Sequence, residues 1–310
     1  TFIFSQYILP SMRFLLSRTD ALGDLIVSLP VMERILSRQP EAEVHWLVRP
    51  CVAPVLEGLP GVAGVHPRGS DEALSPLMAG LKPDVLLNLS HRDPAVITAA
   101  REAGVPVRVA RGRGRQIWEA THVLWKGRFG TGRHEAENAL DFLKPWHWDG
   151  GVPACPRLVL REEERGLGLL PVSSPALGLV LRGSGSGASP SRPWWDAAIP
   201  VLTEAGWNPV VLSPPEASPL DPADLRGLMA RLLACRAVLG PSTGPLHLAA
   251  ALGVPVLCLT GLRVHHGPDR WAPLGARVQV LQYPPPEADL SGGMDRLDPR
   301  SLLPHLERLK

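Results

Sequence analysis

Paired cysteines and long apolar runs are both missing from this sequence. Its four cysteines, Cys51, Cys155, Cys235 and Cys258, lie far apart, so no C-x-x-C pair indicates a metal site. All except Cys155 lie in or beside apolar runs, which favours reduced, buried thiols in a cytosolic protein. No apolar run approaches the roughly 18 residues that a membrane-spanning helix needs. Residues 1–10 are apolar but lack the basic region and cleavage site of a signal peptide.

The chain also has little net charge, +2 at pH 7. This value excludes the strong overall positive field of many nucleic-acid-binding proteins. The charge is unevenly distributed, however, because residues 101–133 hold eight arginines and lysines but only two glutamates, a local net charge of +6. Such a stretch is either a solvated face whose long side chains cover apolar surface or a surface that binds anionic groups.

The length of 310 residues is about twice a typical domain length of roughly 150, which predicts two domains. Short apolar runs alternate with amphipathic stretches, a pattern typical of parallel strands joined by crossover helices. The predicted strands are residues 14–17, 44–48, 85–89, 107–110, 122–125, 176–181, 209–212, 237–239, 256–259 and 278–281. The predicted helices are residues 22–37, 94–103, 134–143, 194–205, 222–233, 245–252 and 299–309.

The alternation is interrupted once, by the proline- and glycine-rich residues 144–156, which we interpret as an interdomain linker. The sequence therefore predicts an α/β protein with two Rossmann-like lobes, residues 1–150 and 151–310. Ligands of such parallel sheets bind beyond the carboxyl ends of the strands.

A loop with two acidic residues follows the first predicted strand. It runs from Arg18 to Asp24, and Gly23 within it permits a close backbone approach. Asp24 falls in the first turn of the next helix, where capping and the helix dipole favour an acid without any further role. A catalytic role for Asp24 would require a substrate hydroxyl within hydrogen-bond reach.

Two further motifs lie in the second half of the chain. The strand at 237–239 runs into Gly240-Pro241-Ser242-Thr243-Gly244-Pro245, a glycine-flanked helix start whose N–H groups and dipole suit a diphosphate. Residues 182–195 contain a glycine- and serine-rich loop between Arg182 and Arg192. The guanidinium of Arg192 could form a bidentate contact with phosphate. The alternatives are a well-capped helix that binds nothing and an ordinary surface loop.

Together these motifs resemble glycosyltransferase family 9, the bacterial heptosyltransferases of lipopolysaccharide core assembly. The resemblance lies in the order and spacing of landmarks over most of residues 13–275. Leu22-Gly23-Asp24 is similar to the opening of the family, and His134-Glu135 opens a helix as in the family. The loop ending in Arg192 and Trp194 and the run Ser242-Thr243-Gly244 with His247 are similar to two later landmarks, the second being the Asp-Thr-Gly-x-x-His signature.

The resemblance implies a GT-B fold, in which two lobes face a central cleft and the C-terminal helix crosses back onto the N-terminal lobe. It assigns the acceptor to the N-terminal lobe and the nucleotide sugar to the C-terminal lobe. It implies that Asp24 is the base of an inverting, metal-independent transfer from a nucleotide diphosphate sugar, with ADP-heptose as the expected donor. The expected acceptor is an acidic lipopolysaccharide-core or other cell-surface glycan.

The residues expected to contact each substrate follow from these motifs and the resemblance. The donor is expected to contact Arg182, Ser184, Arg192, Ser242, Thr243, Gly244 and His247. The acceptor is expected to contact Arg18, Arg111, Arg113 and Arg115. His265, His266 and Arg270 are further candidates for donor contact.

No cofactor or metal is expected, because the chain has no D-x-D triplet and protein cations would replace the ion. The expected partners are the donor and an acidic glycan or glycolipid, with peripheral membrane contact and no nucleic acid. The expected location is the cytoplasm, at the inner face of the membrane.

Two positions depart from the family pattern. Ser242 stands where the family usually has Asp, and Arg192 where it usually has Lys, so the identity of the donor and activity itself are open. Two alternatives therefore remain, a nucleotide-sugar epimerase that needs no acceptor and a non-catalytic homologue that binds nucleotide sugars. A dinucleotide oxidoreductase is disfavoured, because the glycines of residues 183–189 lack the third position of G-x-G-x-x-G.

Overall fold

The computed structural model describes residues 11–69, 73–90, 92–125, 132–168, 170, 175–182, 189–213, 222–261, 267–283 and 293–309. Its strands form two parallel sheets, one in each half of the chain. This is the predicted architecture of two Rossmann-like lobes. The boundary at residue 150 stays a prediction.

The N-terminal sheet has six strands in the order β3-β2-β1-β4-β5-β6. These strands are β1 (Arg13–Arg18), β2 (Glu43–Val48), β3 (Val62–Pro67), β4 (Val85–Asn88), β5 (Val107–Arg111) and β6 (His122–Leu124). The central strands β1 and β4 are buried almost throughout and contain short apolar runs, residues 14–16 and 85–87, as expected where helices cover both faces of a parallel sheet. The strand order reverses between β1 and β4, so this switch point is where a ligand is expected.

The helices of this lobe are α1 (Leu22–Ile26), α2 (Leu29–Arg38), α3 (Ser75–Leu81), α4 (Ala95–Glu102), α5 (Gln116–Glu119) and α6 (Glu135–Leu140), with 3-10 helices at Pro50–Leu56 and Asp141–Trp146. The prediction of one helix over 22–37 was wrong, because the chain breaks between α1 and α2 at Val27 and Ser28. Pro30 explains the break, since its ring has no N–H to donate and would clash with the carbonyl four residues earlier.

The C-terminal sheet has five strands in the order β11-β10-β9-β7-β8. These strands are β7 (Ala176–Val180), β8 (Asn208–Ser213), β9 (Ala237–Pro241), β10 (Val256–Thr260) and β11 (Val278–Gln282). The α-helices are α7 (Glu162–Arg165), α8 (Arg192–Glu204), α9 (Pro222–Ala234), α10 (Gly244–Ala251), α11 (Pro268–Trp271) and α12 (Leu303–Glu307). Short 3-10 helices cover Gly166–Gly168, Gly293–Arg296 and Pro299–Leu302. The switch point of this sheet lies between β7 and β9.

The two lobes share one apolar core. The largest buried cluster contains Phe14 and Leu25 from the first lobe together with Met229 and Leu246 from the second. The lobes meet where α1 packs against α10 and where α9 packs against the 3-10 helix Pro50–Leu56.

The predicted linker crosses from one lobe to the other along this shared core. Arg34 of α2 donates hydrogen bonds to the carbonyl oxygens of Trp148, Gly150 and Val152. Further along, the N–H of Leu158 donates to the carbonyl of Ala251 at the end of α10, at 2.9 Å.

The end of the chain corrects one detail of the expected fold. The predicted helix 299–309 was expected to cross back to the N-terminal lobe. Instead, Leu302 of the last 3-10 helix, Leu306 of α12 and Leu309 just after it are buried against the C-terminal sheet, in a cluster with Leu177 and Trp195. Their three- and four-residue spacing places them on one helical face, and burying that face against the nearest sheet removes it from water.

Within the described ranges, no helix has both the length and the apolar character needed to cross a membrane.

Candidate active site

The predicted base, Asp24, lies at the lobe interface. It occupies the first turn of α1, directly after the carboxyl end of β1 and beside the switch point of the N-terminal sheet. Its Oδ1 accepts a hydrogen bond from Nη2 of Arg18 at 2.7 Å, and its backbone carbonyl accepts from Ser28 Oγ at 2.8 Å. The side chain stays 22% exposed. A substrate hydroxyl can therefore reach a carboxylate that is held in one orientation.

Arg18 was expected to bind the acceptor, but the structure buries it. Its side chain is only 3% exposed and donates to Asp24 and to the carbonyl oxygen of Leu89, the latter at 2.6 Å. Asp20 lies 3.5 Å from the same guanidinium. Because these protein groups surround it, Arg18 holds Asp24 and joins the ends of β1 and β4.

The predicted phosphate cradle is a helix start. Thr243 is the N-cap residue of α10 in an extended conformation, and its side chain makes no capping hydrogen bond. Instead, Thr243 Oγ1, His247 Nδ1 and Trp271 Nε1 are buried without a hydrogen-bond partner among the described residues. Buried polar atoms without partners are uncommon in folded proteins, which marks this helix tip and the segment beside it as unusual.

The contact between α1 and α10 depends on two glycines. A Cβ atom on Gly23 would lie 3.2 Å from Cδ2 of His247, and one on Gly244 would lie 3.0 Å from Cβ of Leu22. Both distances are tighter than ordinary packing contacts, so the helices approach this closely because neither glycine has a side chain. The first turn of α1, with Asp24, is thereby brought against the first turn of α10.

His247 was expected to contact the donor, and the structure places it inside this helix contact. Burial, with a smaller contribution from His134, lowers the pKa of His247 to about 3, so the ring is neutral at physiological pH. A neutral ring contributes no positive charge toward a diphosphate. Its visible role is to fill the space against Gly23.

Ser242, the departure from the family pattern, is used within the protein. Its hydroxyl donates a hydrogen bond to the carbonyl oxygen of Trp271 at 2.7 Å. An ionised carboxylate accepts hydrogen bonds but cannot donate one, so Asp could not make this bond. The serine therefore attaches the end of β9 to α11.

Of the two loop arginines expected to bind the donor, Arg182 is exposed and Arg192 pairs with a carboxylate of its own helix. Arg182 is exposed directly after β7, beside the switch point of the C-terminal sheet. Arg192 is the first residue of α8, where its exposed guanidinium pairs with Asp196 at 2.8 Å. Ser184, together with His265 and His266, lies outside the described residues.

The basic stretch is largely occupied by internal contacts. Arg111 donates to the carbonyl oxygen of Asn138 at 2.6 Å and lies over the ring of Phe142. Arg115 pairs with the buried Glu119 at 3.2 Å, although its own side chain is well exposed. Arg113 is exposed, and no carboxylate of the described residues pairs with it. Lys126 and Arg128 lie outside the described residues. Of these three described arginines, Arg111 and Arg115 are held by internal contacts, and Arg113 is the one available to an anionic ligand.

Sequence reasoning missed a charge cluster on the other side of Arg18. Glu135 at the start of α6 is 4% exposed, and its Oε1 lies 3.9 Å from Arg18 Nη2. Its Oε2 accepts from Arg270 of the C-terminal lobe, from Nε at 3.0 Å and Nη2 at 2.9 Å. Arg270, a candidate for donor contact, is thus buried in an interlobe ion pair. The pair joins residues 135 positions apart, so no local pattern could reveal it.

The preceding residue, His134, supports the same interface. Its Nδ1 accepts from the backbone N–H of Ala136, so the proton is on Nε2, which donates to the carbonyl of Ala272 in the other lobe at 2.9 Å. Burial lowers the pKa of His134, against the opposing influence of that carbonyl and of Glu137 and Glu135.

Within the described ranges, no group of three or more histidine, cysteine, aspartate or glutamate side chains is placed to hold a metal ion.

Comparison with solved structures identifies the class of fold. A glycosyltransferase family 9 protein from Veillonella parvula superposes with a TM-score of 0.80 at 16% identity, covering 96% of this chain and 97% of that one. ADP-heptose lipopolysaccharide heptosyltransferase II of E. coli has a TM-score of 0.76 at 18% identity, covering 96% and 98%. An E. coli heptosyltransferase solved with ADP has a TM-score of 0.67 at 16% identity, covering 96% and 100%. The fold is therefore the predicted GT-B architecture of two parallel-sheet α/β lobes.

The family resemblance is confirmed as well. The model described as glycosyltransferase family 9 (heptosyltransferase) matches residues 195–290, which include the Ser242-Thr243-Gly244 motif. No curated protein sequence matches the chain. The family match, over 96 of the 310 residues, supports a glycosyltransferase of the heptosyltransferase type, and the structural likeness at 16–18% identity supports the fold.

Proposed function

We propose that this protein is an inverting glycosyltransferase that transfers a heptose-like sugar from a nucleotide diphosphate, with ADP-heptose the first candidate, to an acidic glycan or glycolipid. The observation that carries this proposal is the contact between α1 and α10. It brings Asp24 from one lobe close to the Thr243-Gly244 helix tip from the other. A base and a site for a negatively charged leaving group are the two parts that such a transfer needs.

In the proposed reaction, Asp24 accepts the proton of an acceptor hydroxyl. The hydroxyl oxygen then attacks the anomeric carbon of the donor from the face opposite the diphosphate. The bond from that carbon to the diphosphate oxygen breaks, and the nucleoside diphosphate leaves with the electron pair. Attack from the opposite face inverts the anomeric centre.

The donor is proposed to lie with its diphosphate at the start of α10. The helix dipole and N–H groups there favour negative charge, which grows on the leaving group in the transition state. The unpartnered Thr243 Oγ1 and Trp271 Nε1 are polar atoms that a bound nucleotide sugar could satisfy. Arg182 and Arg192 are the proposed cations, and we propose that no metal ion is needed.

The acceptor is proposed to bind the N-terminal lobe. Arg113 supports an acidic acceptor, because it is exposed and pairs with no carboxylate of the described residues. A cell-surface glycan of the lipopolysaccharide-core type, presented at a membrane, has this chemistry and is the first acceptor class to test.

A transfer assay with ADP-heptose and a panel of phosphorylated and carboxylated glycans tests the proposal. We expect product of inverted configuration in buffer containing EDTA, and a rise in melting temperature on adding ADP. Asp24→Asn is expected to keep ADP binding and to lower kcat by roughly 10²–10⁴-fold, the usual contribution of a general base.

Asp93→Asn is the matched control for that variant. Asp93 also pairs with an arginine, Arg68, and its side chain is 19% exposed, close to the 22% of Asp24. It should keep most of the activity. Equal rates for Asp24→Asn and the wild type would remove the base from the mechanism. Conversion of the donor without any acceptor would favour an epimerase, and binding without turnover on every acceptor would favour a non-catalytic homologue.

A further inference from the structure

Three buried charged residues, Arg18, Glu135 and Arg270, connect the proposed base Asp24 with the other lobe. Asp24 bonds to Arg18 at 2.7 Å, Arg18 lies 3.9 Å from Oε1 of Glu135, and Oε2 of Glu135 accepts two hydrogen bonds from Arg270. Arg18 and Glu135 are only 3% and 4% exposed, and the Arg270 side chain is 11% exposed. We call these residues the interlobe charge chain.

The interlobe charge chain continues to the proposed donor site. Arg270 and Trp271 are consecutive residues of α11, and the carbonyl of Trp271 accepts the hydroxyl hydrogen of Ser242, next to the N-cap of α10. A displacement of α11 would therefore act on both ends, on the helix tip through Ser242 and on Arg18 through Glu135.

We propose that Glu135 and Arg270 are positioning residues. They set the orientation of the Arg18–Asp24 pair according to how the C-terminal lobe packs against the N-terminal lobe. This inference rests on the proposed function and deepens it. In it, Asp24 is held for proton abstraction when α11 is seated against α6. Neither Glu135 nor Arg270 needs to touch a substrate.

The physical reason is competition for Arg18. Its guanidinium faces three carboxylates, those of Asp20, Asp24 and Glu135, while Arg270 satisfies part of the charge of Glu135. His247, the group that α10 places nearest to α1, is neutral and adds no charge. Removing Arg270 takes away one of the cations that neutralise Glu135, so Glu135 attracts Arg18 more strongly. Removing the Glu135 charge leaves the guanidinium of Arg18 with two facing carboxylates, those of Asp20 and Asp24. In a buried site, such changes act strongly because water screens them little.

The two substitutions therefore have opposite electrostatic effects on Asp24. Arg270→Gln should weaken the hold of Arg18 on Asp24 and move the acid limb of the kcat–pH profile to higher pH. Glu135→Gln should strengthen that hold and move the limb to lower pH. We expect shifts of about half a pH unit, smaller than the roughly 1–3 units caused by a charge within ~4–6 Å of the titrating group, because Glu135 and Arg270 act through Arg18. Both variants should lower kcat by about 10- to 100-fold while ADP affinity stays within about threefold, as for a misplaced catalytic group.

The structure offers a matched control in a second interlobe arginine. Arg226 of α9 is equally buried, pairs with Glu164 and donates to the carbonyl oxygens of Pro54 and Glu57 in the N-terminal lobe. Its contacts do not lead to Arg18. Arg226→Gln should lower the melting temperature like Arg270→Gln but leave kcat and the pH profile unchanged. Arg270→Lys, which keeps the charge, should restore the position of the acid limb.

The experiment measures kcat, KM, the pH profile, ADP affinity and melting temperature for the wild type and these four variants. Opposite limb shifts for Arg270→Gln and Glu135→Gln, absent in Arg226→Gln, support the inference. The inference is overturned if the acid limbs of the Arg270→Gln and Glu135→Gln profiles stay at the wild-type pH. It is also overturned if these variants lose no more kcat than Arg226→Gln. If the wild type transfers no sugar, the proposed function fails instead. Crystal structures of the wild type and Arg270→Gln then decide the inference, because an unchanged Arg18–Asp24 contact in both overturns it.

Discussion

The imidazole of His247 lies against the backbone of Gly23, where a Cβ atom would come within 3.2 Å of its Cδ2. Gly244 makes the reciprocal contact with Leu22, from the other lobe. These two contacts bring the helix that carries Asp24 against the helix start of the C-terminal lobe. The proposed site is therefore a property of the lobe interface, which neither lobe possesses alone.

The glycines at this contact are open to direct test. Gly23→Ala and Gly244→Ala should each lower the free energy of unfolding by about 1–3 kcal/mol, because the added methyl overpacks the interface. Chemical denaturation measures this. Gly80→Ala is the control, since nothing lies within 4 Å of its added Cβ in α3, and Ala there should stabilise by up to about 1 kcal/mol. If Gly23→Ala behaves like Gly80→Ala, the close helix contact does not persist in solution.

Acid stability should depend on His247. Its pKa is lowered to about 3 in the folded protein, so below about pH 6.5 the unfolded chain binds a proton that the folded chain excludes. The free energy of unfolding should therefore fall as the pH drops from about 6.5 toward 3, by up to about 1.4 kcal/mol per unit from this residue. Urea denaturation at several pH values should show a shallower slope for His247→Gln. His122→Gln, which replaces an exposed histidine, is the control and should keep the wild-type slope. Identical slopes for His247→Gln and the wild type would contradict the prediction.

Replacing Ser242 by Asp, the usual residue of the family, should lower the stability of this protein. Ser242→Ala should cost about 0.5–1.5 kcal/mol of stability by losing the hydrogen bond to the Trp271 carbonyl. Ser242→Asp should cost more, because it also places a carboxylate beside that carbonyl oxygen. Thr203→Ala removes a similar hydroxyl-to-carbonyl bond at an exposed helix position and should cost less. The prediction fails if Ser242→Asp unfolds at the same denaturant concentration as the wild type.

Charge reversal should have different effects at two arginines of the basic stretch. Arg111→Glu should destabilise the protein, since it loses the bond to Asn138 and the contact with the Phe142 ring. Arg113→Glu should leave the melting temperature unchanged and raise KM for an acidic acceptor, with a weaker dependence of KM on salt. Acceptor kinetics at several ionic strengths check this. Unchanged affinity and salt dependence in Arg113→Glu would exclude Arg113 from acceptor binding.

Much of the fold could be predicted because strong local patterns coincide with elements. The apolar strands at 176–181 and 256–259 and the helix at 245–252 lie within about two residues of β7, β10 and α10. The strand β3 was missed, because its residues are half exposed at the sheet edge and carry no clear apolar run. The final helix was placed on the wrong lobe, because a row of leucines indicates a buried face without indicating which surface buries it.

The sequence by itself determined the two parallel-sheet lobes and the position of Asp24 and Thr243 at helix starts after strands, since periodicity and capping act over a few residues. Only the tertiary structure decided that Arg18 is buried, that Ser242 bonds to Trp271, and that Glu135 pairs with Arg270 across the lobes. These pairings join residues up to 135 positions apart, and which charge meets which is settled when the lobes pack and exclude water.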